Sequence, residues 1–420
     1  MKQLFLTIPV KTDSVEIFGF GVLLAIWAVF SLGLIVYLVR RQGWGADTLS
    51  YLPLLLLIGG AIYGLPMLFP EGLPIRGYGV MMLLAVVSGV ALTVYRARLV
   101  GLKVEIIYSL AFWVFITGIV GGRLMHIINY WDNYRHGDDG KLRTWGETLK
   151  AMLDIPSGGL VVFGALIAVS IMLAIFVRRN RLPGLALCDL IAPSMVLGLA
   201  LGRIGCLLNG CCYGGLCEAP WAVQFPAEAP PYQHHFKAGQ IHGIVLSERD
   251  DDSPVIRRVI PGSVAEIAGL AEGDRIRKIG NVGVVTVDMA TLRLRHVLGD
   301  EFDIATDRGT VTLSPARPER SLPVHPTQIY SAINALLLCL FLLAYYPYRR
   351  RDGEVFALLL TLYPISRYLL EIIRADEITR ASESGLTHAM AISIAIIVGV
   401  TAMWFVILRR PVGTVFPKAV

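Results

Sequence analysis

Long apolar runs, separated by short polar junctions, follow one another along most of the chain. A helix rises about 1.5 Å per residue, so about 20 apolar residues are needed to cross a hydrocarbon layer of about 30 Å. The second run is interrupted by glycines and Pro66, and the sixth contains Asp189 and Arg203. The pattern predicts an all-α polytopic membrane protein with about nine transmembrane helices, over 15–39, 49–69, 77–96, 105–130, 158–177, 185–208, 327–347, 354–374 and 386–408.

Basic residues cluster after every second apolar run, and this spacing predicts the orientation of the chain. Lysine and arginine in short loops are retained on the cytoplasmic side of a membrane. The clusters follow the first, third, fifth, seventh and ninth runs, at 40–41, 96–103, 178–181, 349–351 and 409–410. We therefore expect the N-terminus outside and the C-terminus in the cytoplasm. Residues 1–11 lack the cleavage pattern of a signal peptide, so we expect the first helix to remain.

The composition favours a membrane protein over other classes. The 420 residues are 55% hydrophobic and 17% charged, which is too apolar for a soluble fold of this size. The formal net charge of +6 is concentrated at the ends of apolar runs, so we expect no nucleic-acid partner. Five of the six cysteines fall between Cys188 and Cys217, a distribution that suggests no disulfide framework across the whole chain.

One polar stretch, 215–322, predicts a small α/β domain. Its segment from Ile260 to Ile276 has the pattern of a strand end, a short helix capped by Ser263, and a Gly-Asp turn into the next strand. This segment resembles PDZ domains of the bacterial protease-associated type. Because the odd-numbered spans end in the cytoplasm, the stretch after the sixth span, with the PDZ-like domain, is predicted to be extracytoplasmic. Its groove strand, expected near 243–247, either binds an extended peptide by strand addition or belongs to a spacer that binds nothing.

Ionisable side chains within the predicted spans are the strongest functional signal. Each costs about 2.5–3.5 kcal/mol on insertion scales. Arginines from separate spans could form one pocket for an anionic headgroup, because a planar guanidinium matches a phosphate bidentately. The alternative is that each arginine pairs with a nearby acid, as Glu371 could pair with Arg367 one helical turn away. The ionisable residues concerned are Arg123, His126, Asp189, Arg203, Arg367, Glu371 and Arg374.

Three distant segments are expected to meet at the outer face: 202–214, 325–330 and 366–374. The first is rich in glycine, which permits close approach of a ligand or a helix. The pair His325-Pro326 is either functional or only a helix start, because proline is favoured in a first turn. The cysteines at 211, 212 and 217 allow a disulfide, a metal site or ordinary small buried residues.

These segments together resemble the prolipoprotein diacylglyceryl transferase family, over residues 74–215 and 323–408. The family signature is present as Gly202 to Gly210, with Cys206 where asparagine is usual. The other matching motifs are Tyr78-Gly79, Gly121 to Arg123, Asp189 to Pro193, His325 to Tyr330 and Arg367 to Glu371. The resemblance divides the chain into an N-terminal two-helix membrane extension (1–72), a first core part (73–214), the PDZ-like insert (215–322) and a second core part (323–420).

The resemblance implies transfer of the diacylglyceryl group of phosphatidylglycerol to the lipobox cysteine of a prolipoprotein signal peptide. The reaction forms a thioether, releases glycerol phosphate and requires no metal or cofactor. The implied location is the bacterial plasma (inner) membrane. The implied catalytic residues are Arg203, Arg367, His325 and Glu371, with the general base left open between His325, Glu371 and the pull of the arginines. The implied substrate-binding residues are Tyr78, Arg123, Asn209, Gly210, Gly214, Gln328 and Tyr330.

Departures from the family pattern allow an altered acceptor or reduced activity. Phe163 stands where some members have histidine and others tyrosine, and Cys206 stands where asparagine is usual. Cys211 and Cys212 replace acidic or apolar residues, and Ser331 stands where many members have glutamate. An intramembrane protease would need a His-Glu-x-x-His helix or a serine elbow, and the sequence contains neither. A transporter or a non-catalytic lipid- or peptide-binding paralogue is compatible with broken helices and buried arginines.

Overall fold

The computed structural model describes residues 4–11, 16–43, 45, 52–69, 72–136, 141–154, 158–248, 253–296, 301–313, 320–374 and 387–417. Within these residues, eight helices are long and apolar enough to cross a membrane. The protein is therefore a multi-pass membrane protein, as predicted. The second predicted span differs, because its described helix has only 17 residues, Leu52–Leu68. At about 1.5 Å per residue this helix covers about 25 Å, less than a full hydrocarbon layer.

The helices and strands follow the predicted order closely. In chain order they are β1 (Leu4–Ile8), α1 (Val22–Gln42), α2 (Leu52–Leu68), β2 (Leu73–Arg76), α3 (Gly77–Leu99), α4 (Val104–Asn129), α5 (Trp131–Arg135), α6 (Trp145–Leu153), α7 (Val162–Arg179), α8 (Gly184–Asn209), α9 (Pro230–Lys237), β3 (Ile244–Glu248), β4 (Pro254–Val259), α10 (Val264–Ile267), β5 (Ile276–Ile279), β6 (Val282–Gly283), α11 (Val287–His296), β7 (Phe302–Thr306), β8 (Thr310–Leu313), α12 (Thr327–Tyr345), α13 (Glu354–Ile373) and α14 (His388–Leu408).

The chain forms two compact units. The first comprises Met1–Met81, Gly205–Cys211 and Gln224–Leu322, and the second comprises Met82–Ile204, Cys212–Val223 and Pro323–Val420. In the first unit, β1 and β2 form an antiparallel pair, β3 pairs with β4, and a four-stranded sheet has the order β6-β5-β7-β8. The second unit contains most of the length of the long helices from α3 onward.

Close helix packing in the second unit depends on small residues. Gly121 of α4 faces α7, and a Cβ added there would lie 2.6 Å from the carbonyl oxygen of Gly164. This spacing is shorter than van der Waals contact, so the two helices approach more closely than a side chain would allow. Leu187 and Leu190 of α8 pack in one buried cluster with Leu342 of α12 and Val355 of α13.

Buried polar groups join three helices of the second unit at one point, here called the Asp189 junction: Arg96, Asp189, Gly353 and Phe356. The carboxylate of Asp189 in α8 accepts hydrogen bonds from the backbone N–H groups of Gly353 (2.6 Å) and Phe356 (2.8 Å), at the start of α13. Pro193 has no N–H, so the carbonyl of Asp189 lacks its helical donor. The Arg96 guanidinium of α3 donates to this carbonyl (3.4 Å) and to that of Leu190. The junction therefore provides hydrogen-bond partners for the Asp189 carbonyl and for the free N–H groups at the start of α13.

The insert has its own apolar core within the first unit. Ile244, Ile256, Ile276 and Ile304 are each at most 1% exposed, and they belong to one cluster. The side chain of Ser263 accepts a hydrogen bond from the Glu266 N–H at 3.3 Å, as the N-cap of α10. The strand, short helix and strand predicted from 260–276 are confirmed as β4, α10 and β5.

A buried histidine lies in this core. His242 is 5% exposed, its Nδ1 accepts a hydrogen bond from the Ile244 N–H at 3.3 Å, and its ring meets Phe236 edge-on at 4.4 Å. Burial lowers the pKa of His242 from 6.5 to about 4. Burial, and then the charge of His234, lower the pKa of His235 to about 4 as well. Both imidazoles are therefore neutral in the folded insert at neutral pH.

We expect the insert to lose stability in mild acid. A histidine whose pKa is lower in the folded state contributes its stability above its unfolded pKa, and this contribution is lost as pH falls from about 6.5 towards about 4. For His242 the loss reaches about 3 kcal/mol. Hydrogen exchange of the Ile244 and Leu246 amides, corrected for intrinsic rates, should lose about tenfold protection between pH 7 and pH 5. His242→Phe should reduce this dependence, and an unchanged pH profile would contradict the assignment.

Candidate active site

The C-terminal part of α8 carries the glycine-rich signature. Arg203 is partly buried on this helix, which ends at Asn209. In the first unit, a Cβ on Gly205 would lie 3.2 Å from Cδ2 of Tyr78, so glycine lets the tyrosine ring pack against α8. Gly210 follows with φ of +77°, a left-handed conformation that favours glycine. The signature glycines thus bring Tyr78 to the helix and end the helix directly after Asn209.

Glu371 on α13 is the centre of a buried charged cluster in the second unit. It is 1% exposed, and its Oε2 pairs with Nη1 of Arg367 and with Nη1 of Arg374, the latter at 3.4 Å. The hydroxyl of Thr387 donates to its Oε1 at 3.1 Å. One carboxylate therefore orients two guanidinium groups, and the cluster keeps an excess of positive charge.

Arg367 retains donors for a ligand. The predicted pairing with Glu371 is confirmed, but it uses only Nη1 of the guanidinium. Its side chain is 16% exposed, and its Nε–H and Nη2 hydrogens have no protein acceptor among the described residues. These donors can bind an oxyanion without breaking the ion pair.

Gly214 lies where the segment after the signature passes between the start of α12 and the end of α13. Its N–H donates to the His325 carbonyl at 2.9 Å, and it forms a β-bridge with Arg374. The neighbouring Gly215 N–H donates to the Ile373 carbonyl at 2.9 Å. This crossing holds His325 close in space to the charged end of α13.

We expect Gly214→Ala to lower the stability of the folded protein far more than Gly215→Ala does. A Cβ on Gly214 would lie 2.6 Å from Cβ of His325 and 2.8 Å from Cγ2 of Thr327, whereas a Cβ on Gly215 would meet only the Ile373 carbonyl at 3.9 Å. Overpacking of this kind costs about 1–3 kcal/mol. Thermal unfolding of both purified variants checks this expectation. Equal melting temperatures would show that the crossing is not tight.

His325 and Tyr330 belong to one hydrogen-bonded group. Nδ1 of His325 is 3.3 Å from the Tyr330 hydroxyl oxygen, which also accepts a hydrogen bond from Nε1–H of Trp221 at 2.8 Å. Gln328, between them in sequence, is 1% exposed in the first turn of α12. The structure thus brings two of the predicted residues into contact and buries the third beside them in sequence.

Arg123 has different surroundings from those expected of a lipid ligand. Its five N–H hydrogens donate to the backbone carbonyls of Ala151, Met152, Asp154, Gly158 and Gly159. The side chain is 6% exposed. All of its donors are therefore engaged by the end of α6 and by the residues before α7, which favours a role in holding this part of the chain over a direct contact with substrate.

No disulfide joins any of the six cysteines, all of which lie among the described residues. The Cys211 thiol donates to the Cys206 carbonyl at 3.8 Å, as a weak local contact within the first unit. Phe163, at the start of α7, is 47% exposed and has no proton-accepting group. Phe163 therefore cannot act as a general base.

The sequence prediction did not include two residues of the site, Thr387 and Trp221. Thr387 binds Glu371 and is also the N-cap of α14, where its side chain accepts from the Met390 N–H at 3.2 Å. A threonine before an apolar run is a recognised cap signal, so its position was accessible from the sequence. Trp221 lies 109 residues from Tyr330, and no local pattern indicates their contact.

These features define a multi-pass membrane protein with a polar site of arginine, histidine and carboxylate groups at helix ends. The chain belongs to the prolipoprotein diacylglyceryl transferase family, whose model matches residues 66–406. It is 30% identical to the phosphatidylglycerol–prolipoprotein diacylglyceryl transferase of Rhodopirellula baltica, over 90% of this chain and 83% of the relative. It is 27% identical to the enzyme of that name from Clostridium tetani, over 80% of this chain and 95% of the relative.

Proposed function

We propose that this chain transfers the diacylglyceryl group of phosphatidylglycerol to the lipobox cysteine of a prolipoprotein. The observation that carries the proposal is the family match, which includes both α8 with Arg203 and α13 with Arg367. The named activity of the relatives supports the same reaction. The alternative function is that of a transporter or of a non-catalytic lipid- or peptide-binding paralogue.

In the proposed reaction, the cysteine sulfur forms a bond to the terminal glyceryl carbon of the lipid. The bond between that carbon and the phosphate oxygen breaks, and glycerol phosphate leaves with the electron pair. Negative charge therefore grows on the leaving phosphate, and preorganised donors at that point lower the barrier. We assign this role to Arg203 and Arg367, because arginine donates to two phosphate oxygens at once. Tyr78 and Asn209, both in the first unit, are proposed as substrate-binding residues.

The thiol proton needs an acceptor, because the thiolate is the reactive nucleophile. We assign this role to His325 rather than Glu371. When Nδ1–H of His325 donates to Tyr330, the imidazole Nε2 keeps a lone pair for the proton. The oxygens of Glu371 already accept from Arg367, Arg374 and Thr387, which suits a residue that orients others.

The proposal also includes the orientation of the chain in the membrane and a peptide-binding role for the insert. Basic clusters at the ends of alternate helices support an extracytoplasmic N-terminus, a cytoplasmic C-terminus and an extracytoplasmic insert. The order of strands and short helices from β3 to β8 is compatible with a PDZ-like domain. Strand β3 pairs only with β4 among the described strands, which leaves one edge for an extended peptide.

The transfer is tested with purified full-length protein, phosphatidylglycerol and a peptide containing a lipobox cysteine. The expected product is a peptide whose mass has increased by one diacylglyceryl group. A peptide with serine in place of the cysteine is the matched control and should remain unmodified. Absence of the modified peptide would leave the lipid-binding or transport alternative.

Hydrogen exchange tests the insert in the same samples. Slower exchange of the β3 amides on adding the peptide is expected if the insert binds it by strand addition. Unchanged exchange would favour a spacer.

A further inference from the structure

The start of α13 is capped by a side chain from another helix. Gly353 is the N-cap residue, with φ of +101°, and as a glycine it has no side chain to accept the free N–H groups of the first turn. The Asp189 carboxylate does so instead, with one oxygen on the Gly353 N–H and the other on the Phe356 N–H. Asp189 is fully buried, and its two acceptor oxygens suit the exposed N–H groups at the start of a helix.

The capping side chain is itself held in place. Arg96 donates to the carbonyls of Asp189 and Leu190, and its guanidinium lies 4.1 Å from the centre of the Tyr346 ring. The backbone of α8 at Asp189 is therefore fixed by α3 as well as by its own helix. The Asp189 junction acts as a rigid point from which α8 and α13 both extend.

The two arginines assigned to the phosphate are the same number of residues from this junction along their helices. Arg203 follows Asp189 by 14 residues on α8, and Arg367 follows Gly353 by 14 residues on α13. Fourteen helical residues rise about 21 Å and end within about 40° of the starting face. Both helices start from one junction, so the equal spacing puts each arginine about 14 helical residues from it.

We propose that Asp189 is a positioning residue for diacylglyceryl transfer: by capping α13 from α8, it sets the register in which Arg203 and Arg367 reach one phosphate. This inference rests on the proposed function. A slip of α13 by a single residue moves Arg367 about 1.5 Å and turns it about 100° around the helix. Displacements of 1 Å at a reacting centre are enough to slow a reaction about hundredfold.

The test uses full-length Asp189→Asn, with Glu354→Gln as the matched control. Glu354 is also buried at the start of α13, but its partners are all close by in sequence: the Arg350 N–H, the Tyr345 hydroxyl and the Arg351 guanidinium at 3.8 Å. We expect Asp189→Asn to lower kcat, normalised to folded protein, at least about tenfold. Glu354→Gln should stay within about threefold of the unmodified chain. Equal effects of the two substitutions would overturn the proposal.

A double-mutant cycle separates positioning from general destabilisation. If Asp189 acts through Arg367, then Asp189→Asn should lower kcat less than about threefold in an Arg367→Lys background. A merely structural role predicts the same factor in both backgrounds, and that result would overturn the proposal. If the asparagine variant does not fold, Asp189→Glu keeps the carboxylate but displaces it, and should show the same non-additivity with a smaller effect.

A distance measurement between α8 and α13 tests the role of Asp189 independently of transfer activity. Spin labels on non-natural residues at Ile204 of α8 and Leu369 of α13, both exposed, report the register directly. We expect Asp189→Asn to shift or broaden the distance distribution and Glu354→Gln to leave it unchanged. An unmodified chain that makes no product would refute the proposed function alone. An unchanged distribution in Asp189→Asn would refute the register argument alone.

Discussion

Replacing Arg203 by alanine is expected to lower the transfer rate at saturating phosphatidylglycerol by at least about a thousandfold. Removal of one preorganised donor from a developing oxyanion costs about a hundred- to a thousandfold in other enzymes, and a partly buried arginine contributes charge as well. Arg203→Lys should recover only part of the rate, because lysine cannot donate to two phosphate oxygens from one plane. The measurement is the initial rate of modified peptide formation, followed by mass spectrometry.

Arg179→Ala is the control for this experiment, because Arg179 is an exposed basic residue at the end of α7. It should transfer at close to the unmodified rate, and the folded yield of both variants should be similar. An Arg203→Ala protein that is folded and still active within about tenfold would remove Arg203 from the proposed mechanism.

Glu371→Gln is expected to lower both stability and transfer. The substitution leaves Arg367 and Arg374 close together without their shared carboxylate, and breaking a buried ion pair costs about 3–5 kcal/mol when one charge remains. Glutamine retains one acceptor oxygen, so we expect about 2 kcal/mol of lost stability. We also expect at least about a tenfold loss of rate, because Arg367 is no longer oriented towards the phosphate.

The matched control is Glu354→Gln, since Glu354 lies on the same helix and is also buried. It should lose stability but keep most of its activity when the rate is normalised to folded protein. If both substitutions reduced activity in proportion to folded protein, Glu371 would be a structural residue without a part in orienting Arg367.

The helical architecture was largely predictable from the sequence, because a run of about 20 apolar residues in lipid can satisfy its backbone only as a helix. The bounds of α8, predicted as 185–208, are observed as Gly184–Asn209. The pairing of Arg367 with Glu371 was predictable for a similar reason, since side chains four residues apart share a helix face. Among the nine predicted spans, the described helix α2 is too short to be a candidate membrane span.

Contacts between separate helices were not predictable in the same way. Asp189 was recognised as an anomalous charge in a span, but its partner Gly353 is 164 residues away. Arg123 was expected near a lipid, yet its guanidinium is occupied by five carbonyls. Backbone carbonyls and N–H groups occur at every position, so a single sequence gives no signal for which of them a buried side chain binds.

An experimental structure of the full-length protein with phosphatidylglycerol bound tests the central claim most directly. The account predicts phosphate oxygens within about 3 Å of guanidinium nitrogens from both Arg203 and Arg367, with the Arg367–Glu371 ion pair retained. A lipid phosphate bound elsewhere, or contacted by neither arginine, would contradict it.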